Sequence, residues 1–164
     1  MSKIKTFEEL LLMELRDLFD AETRIEEALP KMAKAADSEK LQQAFTSHLE
    51  ETREQLERLR KIFNQLGEEP KGETCEAAKG LIEEGEEVMK NIDQGALRDA
   101  ALIGAAQRVE HYEMAGYGTA RNFARILGKQ QIVKLLDATL QEEGNADKKL
   151  TDIANSINRQ AVRA

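Results

Sequence analysis

At 164 residues the chain is long enough for a real hydrophobic core and is read as one domain, residues 1–164. Hydrophobic residues make up 41% and charged residues 34%, with two prolines and no tryptophan, which points to an all-α protein. A net charge of -7 without a basic cluster argues against nucleic acid, a single cysteine (Cys75) excludes an internal disulfide, and short apolar runs argue against a membrane.

The first nine residues lack the apolar core of a signal peptide, so the expectation is a soluble cytoplasmic protein. The first long helix, about 7–36, starts at a capping box with Thr6 as N-cap and Glu9 three residues on. Its inward stripe is Leu11, Leu15, Leu18, Glu22, Ile25 and Leu29, so Glu22 stands where a leucine is expected. Pro30 removes a backbone donor and should kink or end the helix, with a bent continuation to Ala36. Asp37 and Ser38 make the next turn and cap.

The second helix, about 39–66, ends at Gly67, placed as a left-handed C′ residue. Ala44, His48, Glu51 and Gln55 form one line along it, which puts His48 and Glu51 on one side, one turn apart. Residues 68–74 are the clearest loop. A shorter helix follows, about 75–91, with Thr74 as N-cap and few large apolar residues, which suits a half-buried connector. Cys75, at that turn, shows no sequence partner.

Residues 93–95 break the connector. The next long helix, about 96–127, is closed by Gly128 and carries Ile103, Ala106, Glu110, Glu113, Tyr117, Ala120, Ala124 and Leu127 on one stripe. Gly104, Gly116 and Gly118 allow either close helix approach or a bulge. The last helix, about 129–158, repeats the pattern with Ile132, Leu136, Thr139, Glu143, Ala146, Leu150, Ile153 and Ile157, and Asp147 lies one turn beyond Glu143. Residues 159–164 read as frayed.

Two helix pairs joined by tight turns, with a long helical connection between them, are the connectivity of a ferritin-like four-helix bundle with one crossover. Each anomalous acid is near its helix midpoint: Glu22, Glu51, the Glu110/Glu113 pair and Glu143. Antiparallel helices of similar length bring those midpoints to one height, with His48 one turn from Glu51. Burying an unpaired carboxylate costs several kcal/mol, and no Lys or Arg lies on these lines. Two divalent cations, as in a di-iron or di-manganese site, would neutralise most of the charge. A lone glutamate on a core line more often sits at a bundle rim, but four helices each interrupted at the middle are a different matter. His111 points about 100° from Glu110 around the helix and is set aside. Tyr117 is placed to hydrogen-bond a ligand.

Asp17 to Glu22 (DLFDAE), Ala28 to Met32 (ALPKM), Ser47 to Thr52 (SHLEET), Val109 to Glu113 (VEHYE) with Tyr117 to Thr119, and Thr139 to Glu143 (TLQEE) with Asp147 to Asp152 (DKKLTD) carry a further reading. With these motifs the chain resembles the YciE/YciF family of bacterial ferritin-like proteins over nearly its whole length. The resemblance implies a rubrerythrin-like bundle, usually a homodimer, with a dinuclear metal centre and a link to stress responses. It implies no defined reaction.

Carried over by position, Glu22, Glu51, Glu110, Glu113 and Glu143 match the expected carboxylates. Glu51 and Glu143 would bridge two metals, Glu22, Glu110 and Glu113 would be terminal, and His48 and Asp147 would complete the shell. The usual Glu-x-x-His signature is missing, which puts ordinary oxidase or peroxidase chemistry in doubt. The oxygen-rich set favours iron first and manganese second over zinc or copper. A small oxidant, peroxide or oxygen, is the expected substrate of any redox turnover. The alternatives are a structural or assembly protein that uses the bundle as a scaffold and, more weakly, iron storage.

Overall fold

A computed structural model describes residues 3–163. Among the described residues are five helices: α1 (Phe7–Ala35), α2 (Glu39–Leu66), α3 (Glu76–Asn91), α4 (Ala96–Ile126) and α5 (Gln130–Ala161). The local signals set most of these boundaries. Thr6 Oγ1 accepts from the Glu9 amide at 3.1 Å while the Glu9 carboxylate accepts from the Thr6 amide, the reciprocal capping box. Gly67 is left-handed at φ 71°, and the Glu68 amide reaches back to the Phe63 carbonyl. Gly95 (φ 145°) precedes α4, and Gly128 (φ 69°) turns α4 into α5.

α1 continues through Pro30 to Ala35, one residue short of the expected end. Pro30 is exposed and Glu26, whose carbonyl loses its partner, is only half-buried, so water can satisfy that oxygen. The cap of α3 is Cys75 rather than Thr74: its Sγ accepts from the Ala78 amide at 3.3 Å. The last helix runs to Ala161, three residues into the stretch read as frayed, while Ala164 lies outside the described residues, as do Met1 and Ser2.

α1 packs on α2 and α4, and α5 packs on α4 and α2, which makes a four-helix square. Neighbours run antiparallel: Phe7 stacks edge-on against Phe123 at one end, and Arg98 donates to the Ala35 carbonyl at the other. α2 and α4 are therefore parallel, and α3 must carry the chain back along the bundle. It does so over the α1–α4 seam, touching both helices. This is the ferritin-like bundle with one helical crossover. Among the described residues no helix is long and apolar enough to cross a membrane.

Of the three glycines in α4, Gly116 meets a packing demand. A Cβ there would lie 2.8 Å from Leu18 Cδ2, so its small size lets α1 approach. α4 stays a continuous helix through all three glycines.

The core is not continuous. One apolar cluster gathers Leu11, Leu15, Leu18, Leu59, Phe63, Ala120 and Leu136. A second gathers Ile25, Leu29, Phe45, Ile103, Ala106 and Leu150. Between them, at mid-height, lies a polar layer.

Candidate metal centre

The layer is built from the helix lines that carried the anomalous acids. α1 contributes Glu22, α4 Glu110 and Glu113, and α5 Glu143, each no more than 3% exposed. α2 contributes His48, 6% exposed. One ligand atom each from His48, Glu110, Glu113 and Glu143 lies within 4.8 Å of the others. His48 Nε2 sits 3.3 Å from Glu110 Oε1 and 3.7 Å from Glu143 Oε2, yet makes no hydrogen bond to either. These atoms face a shared space rather than one another.

Glu22 joins the set through Tyr117, whose hydroxyl donates to Glu22 Oε1 at 2.5 Å. Tyr117 thus holds one carboxylate oxygen and leaves the other, Oε2, without a donor. Gln55 does the same for Glu143, donating to Oε1 at 2.5 Å and leaving Oε2 free.

Burial pushes the carboxyls of Glu22, Glu110 and Glu113 well above the ordinary range, and the mutual repulsion of the acids adds to it. Glu143 is a raising neighbour for all three. The Tyr117 hydroxyl is raised as well, first by burial and then by Glu22. Neither oxygen of Glu113 has a donor.

Several buried polar atoms of the layer lack hydrogen-bond partners. Glu22 Oε2, His48 Nε2, Glu110 Oε2, both oxygens of Glu113 and Glu143 Oε2 all do. Buried polar groups in folded proteins are otherwise almost always satisfied. Lone pairs converging on one space, with no ammonium or guanidinium among them, fit a hard divalent cation.

Two of the residues expected in the site stand elsewhere. Glu51 lies on the outer side of His48, its side chain 43% exposed and its Oε2 3.4 Å from His48 Nδ1. That contact, ahead of the opposing effect of burial, holds its carboxyl below the ordinary range. The inward line of α2 is Ala44, His48, Thr52 and Gln55, so Thr52 takes the buried place. Asp147 faces the α4–α5 seam, where it accepts from Gln107 Nε2 at 3.0 Å and lies 3.3 Å from His111 Nε2. His111 itself is 67% exposed.

Gln55 and Thr52 were the missed members. The spacing His48, Thr52, Gln55 is as helical as His48, Glu51, Gln55, and only contact with α5 distinguishes them. Cys75, expected to lack partners, is buried, with Sγ 2.9 Å from the Tyr112 hydroxyl, which also donates to Asp17. Its own amide donates to Asp20. That cluster joins α3 to α1 and α4 on the outer side of the bundle.

The sequence matches, over residues 6–163, the family described as a domain of unknown function, DUF892. It is 46% identical over 160 residues to the protein YciF of Escherichia coli (strain K12), covering 96% of each chain. The crystal structure of the E. coli stress protein YciF superposes with a TM-score of 0.91 at 44% identity, covering 95% of this chain and 99% of that one. YcfI from Rhodopseudomonas palustris, provisionally described as a structural protein, superposes at 0.89 with 47% identity over 92% and 96%. A Xanthomonas campestris protein at 20% identity, covering 96% of this chain and 97% of its own, shares the fold with a TM-score of 0.77.

Proposed function

The chain belongs to the DUF892 family, that of the stress protein YciF, and from this premise we propose that it is a metal-binding stress-response protein with two divalent cations at the bundle centre. The observation that carries the proposal is the convergence of orphaned buried atoms from Glu22, His48, Glu110, Glu113 and Glu143. Four buried carboxylates carry four negative charges when ionised. Two dications balance them with His48 neutral. Glu143, buried and with Oε2 unpartnered, would be one of the residues that hold the dications.

Iron is the first candidate and manganese the second, because the set holds one nitrogen and otherwise oxygen. When bound, such a pair supplies redox capacity toward a small oxidant such as peroxide or oxygen. The chain's own residues orient and shield. Tyr117 and Gln55 fix Glu22 and Glu143, and the apolar clusters on both sides keep bulk water from the layer. The homodimer and the cytoplasmic setting belong to the same proposal.

Elemental analysis of protein purified without chelators tests it. About two iron or manganese ions per chain are expected, and Glu113→Ala with Glu143→Ala should abolish them. Fewer than about one ion per chain, unchanged in the double variant, would overturn the reading. The second reading, a scaffold protein with a hydrated polar layer, draws on the provisional description of the R. palustris relative. It requires thermal stability indifferent to chelators.

A further inference from the structure

The four seams of the bundle are not equally closed. α3 lies over the α1–α4 seam. Near the polar layer the α4–α5 seam is bridged by Gln107, which donates to Asp147 and Thr151. The α1–α2 seam is bridged by Arg53 and Glu26 at 3.2 Å. The α2–α5 seam is closed toward one end, where Arg58 clasps Glu142 through two hydrogen bonds. Farther along the seam, about three to four turns on along α2 and one along α5, the small residues Ala44 and Ser47 of α2 and Asn145 and Ala146 of α5 stand beside Phe45 and Leu150. They leave a pocket of about 80 Å³, room for a few waters, which reaches His48 and Glu110. Glu51 and Lys149 also line it, both more exposed than that pair.

We propose that this pocket is the port by which divalent cations reach the centre, and that Glu51 captures them at its mouth without being a ligand of the finished site. The inference rests on the metal reading above. His48 spans the two stations: Nδ1 is 3.4 Å from Glu51 Oε2, and Nε2, buried and unpartnered, is 3.3 Å from Glu110 Oε1. A half-exposed carboxylate keeps water on one side, so an ion held there exchanges its hydration shell in steps. Inside, the orphaned oxygens of Glu110 and Glu143 replace the last waters. The charge of Glu51 concentrates cations at a narrow opening, and the nearby Lys149 ammonium weakens that hold enough for the ion to move on.

Cobalt(II) uptake by metal-stripped protein tests the port. The rate is followed by stopped-flow visible absorbance, and the final stoichiometry by elemental analysis after equilibration. Glu51→Gln should slow uptake roughly tenfold. Ala146→Leu and Ser47→Phe, which narrow the opening from opposite helices, should slow it too. Stoichiometry and final spectrum should match the unsubstituted protein in all three. Ser47 is exposed, so that variant keeps the test sound if Ala146→Leu disturbs folding, which circular dichroism reports. Unchanged rates in both plugged variants would overturn the port. A lost ion or altered final spectrum in Glu51→Gln would make Glu51 a ligand of the centre and overturn its capture role. If the unsubstituted protein binds no cobalt, the metal reading itself fails, a result distinct from either.

Discussion

Asp99 and Glu113 lie on the same helix, about four turns apart, and are buried alike at 1% and 0% exposure. Their surroundings differ completely. Asp99 accepts from the backbone amides of Asp37 at 2.8 Å and Ser38 at 2.7 Å, tying the α1–α2 turn to α4. Glu113 faces the other acids of the layer and His48, and neither of its oxygens has a donor. Both would count as buried carboxylates in a helical core. Unspent lone pairs, not burial, distinguish a structural acid from a candidate ligand.

The largest effect should come from metal removal. A ligand that binds only the folded state stabilises it by about 4 kcal/mol at a thousandfold excess over Kd. Chelation should therefore lower the melting temperature of the unsubstituted protein markedly, as calorimetry would show. Variants that lack the Glu113 and Glu143 carboxylates should not respond.

Asp99→Ala comes next. Losing two charge-assisted hydrogen bonds should cost about 3 kcal/mol in urea unfolding. The cost should be the same with and without metal, because nothing at Asp99 awaits a cation. A metal-dependent cost would break the distinction.

Glu113→Met should act with the opposite sign. In metal-free protein, replacing a buried unpaired acid with an apolar side chain of similar size should stabilise by about 2 kcal/mol. The same variant should lose the stabilisation by iron or manganese. Destabilisation of the metal-free protein would mean that Glu113 has a donor in solution, as Asp99 does.

The smallest effect is the pH dependence of the metal-free protein. Glu22, Glu110 and Glu113 have carboxyls raised in the folded state, from an ordinary value of 4.5. Between that value and the raised ones the folded state holds more protons than the unfolded chain, so stability falls as pH rises. Their contribution is fully present below pH 4.5 and is lost upward through the raised values. In metal-loaded protein the trend should reverse, because protons compete with cations for the same oxygens. Parallel melting curves across pH, with and without metal, would show the crossing.

Much of this contrast was legible in the residues. The mid-helix positions of Glu22, Glu110, Glu113 and Glu143 interrupt apolar stripes that are otherwise regular, and a single helix phase places each inward. Tyr117 on the α4 stripe pointed to a hydrogen bond with a ligand for the same reason. Asp99 was not legible. It occupies the first turn of α4, where an acid is unremarkable beside the helix dipole. Its partners are backbone amides about sixty residues earlier, and a backbone amide leaves no mark in a sequence. Glu51 and Thr52 were not separable either, since adjacent residues differ by about 100° and both fit a broad inward arc.

The chain by itself determined its helices, because caps, glycine stops and apolar periodicity act within a few residues. It also determined that acids interrupt the core, and its motifs determined the family. Only the tertiary structure decided the rotation of α2, which brings His48, Thr52 and Gln55 inward and leaves Glu51 at the rim. That rotation depends on how α2 fits against α5 and α1 together. The path of α3 was decided in the same way. Its sequence marks a half-buried connector, but which seam it covers follows from contacts with α1 and α4 distant in the chain.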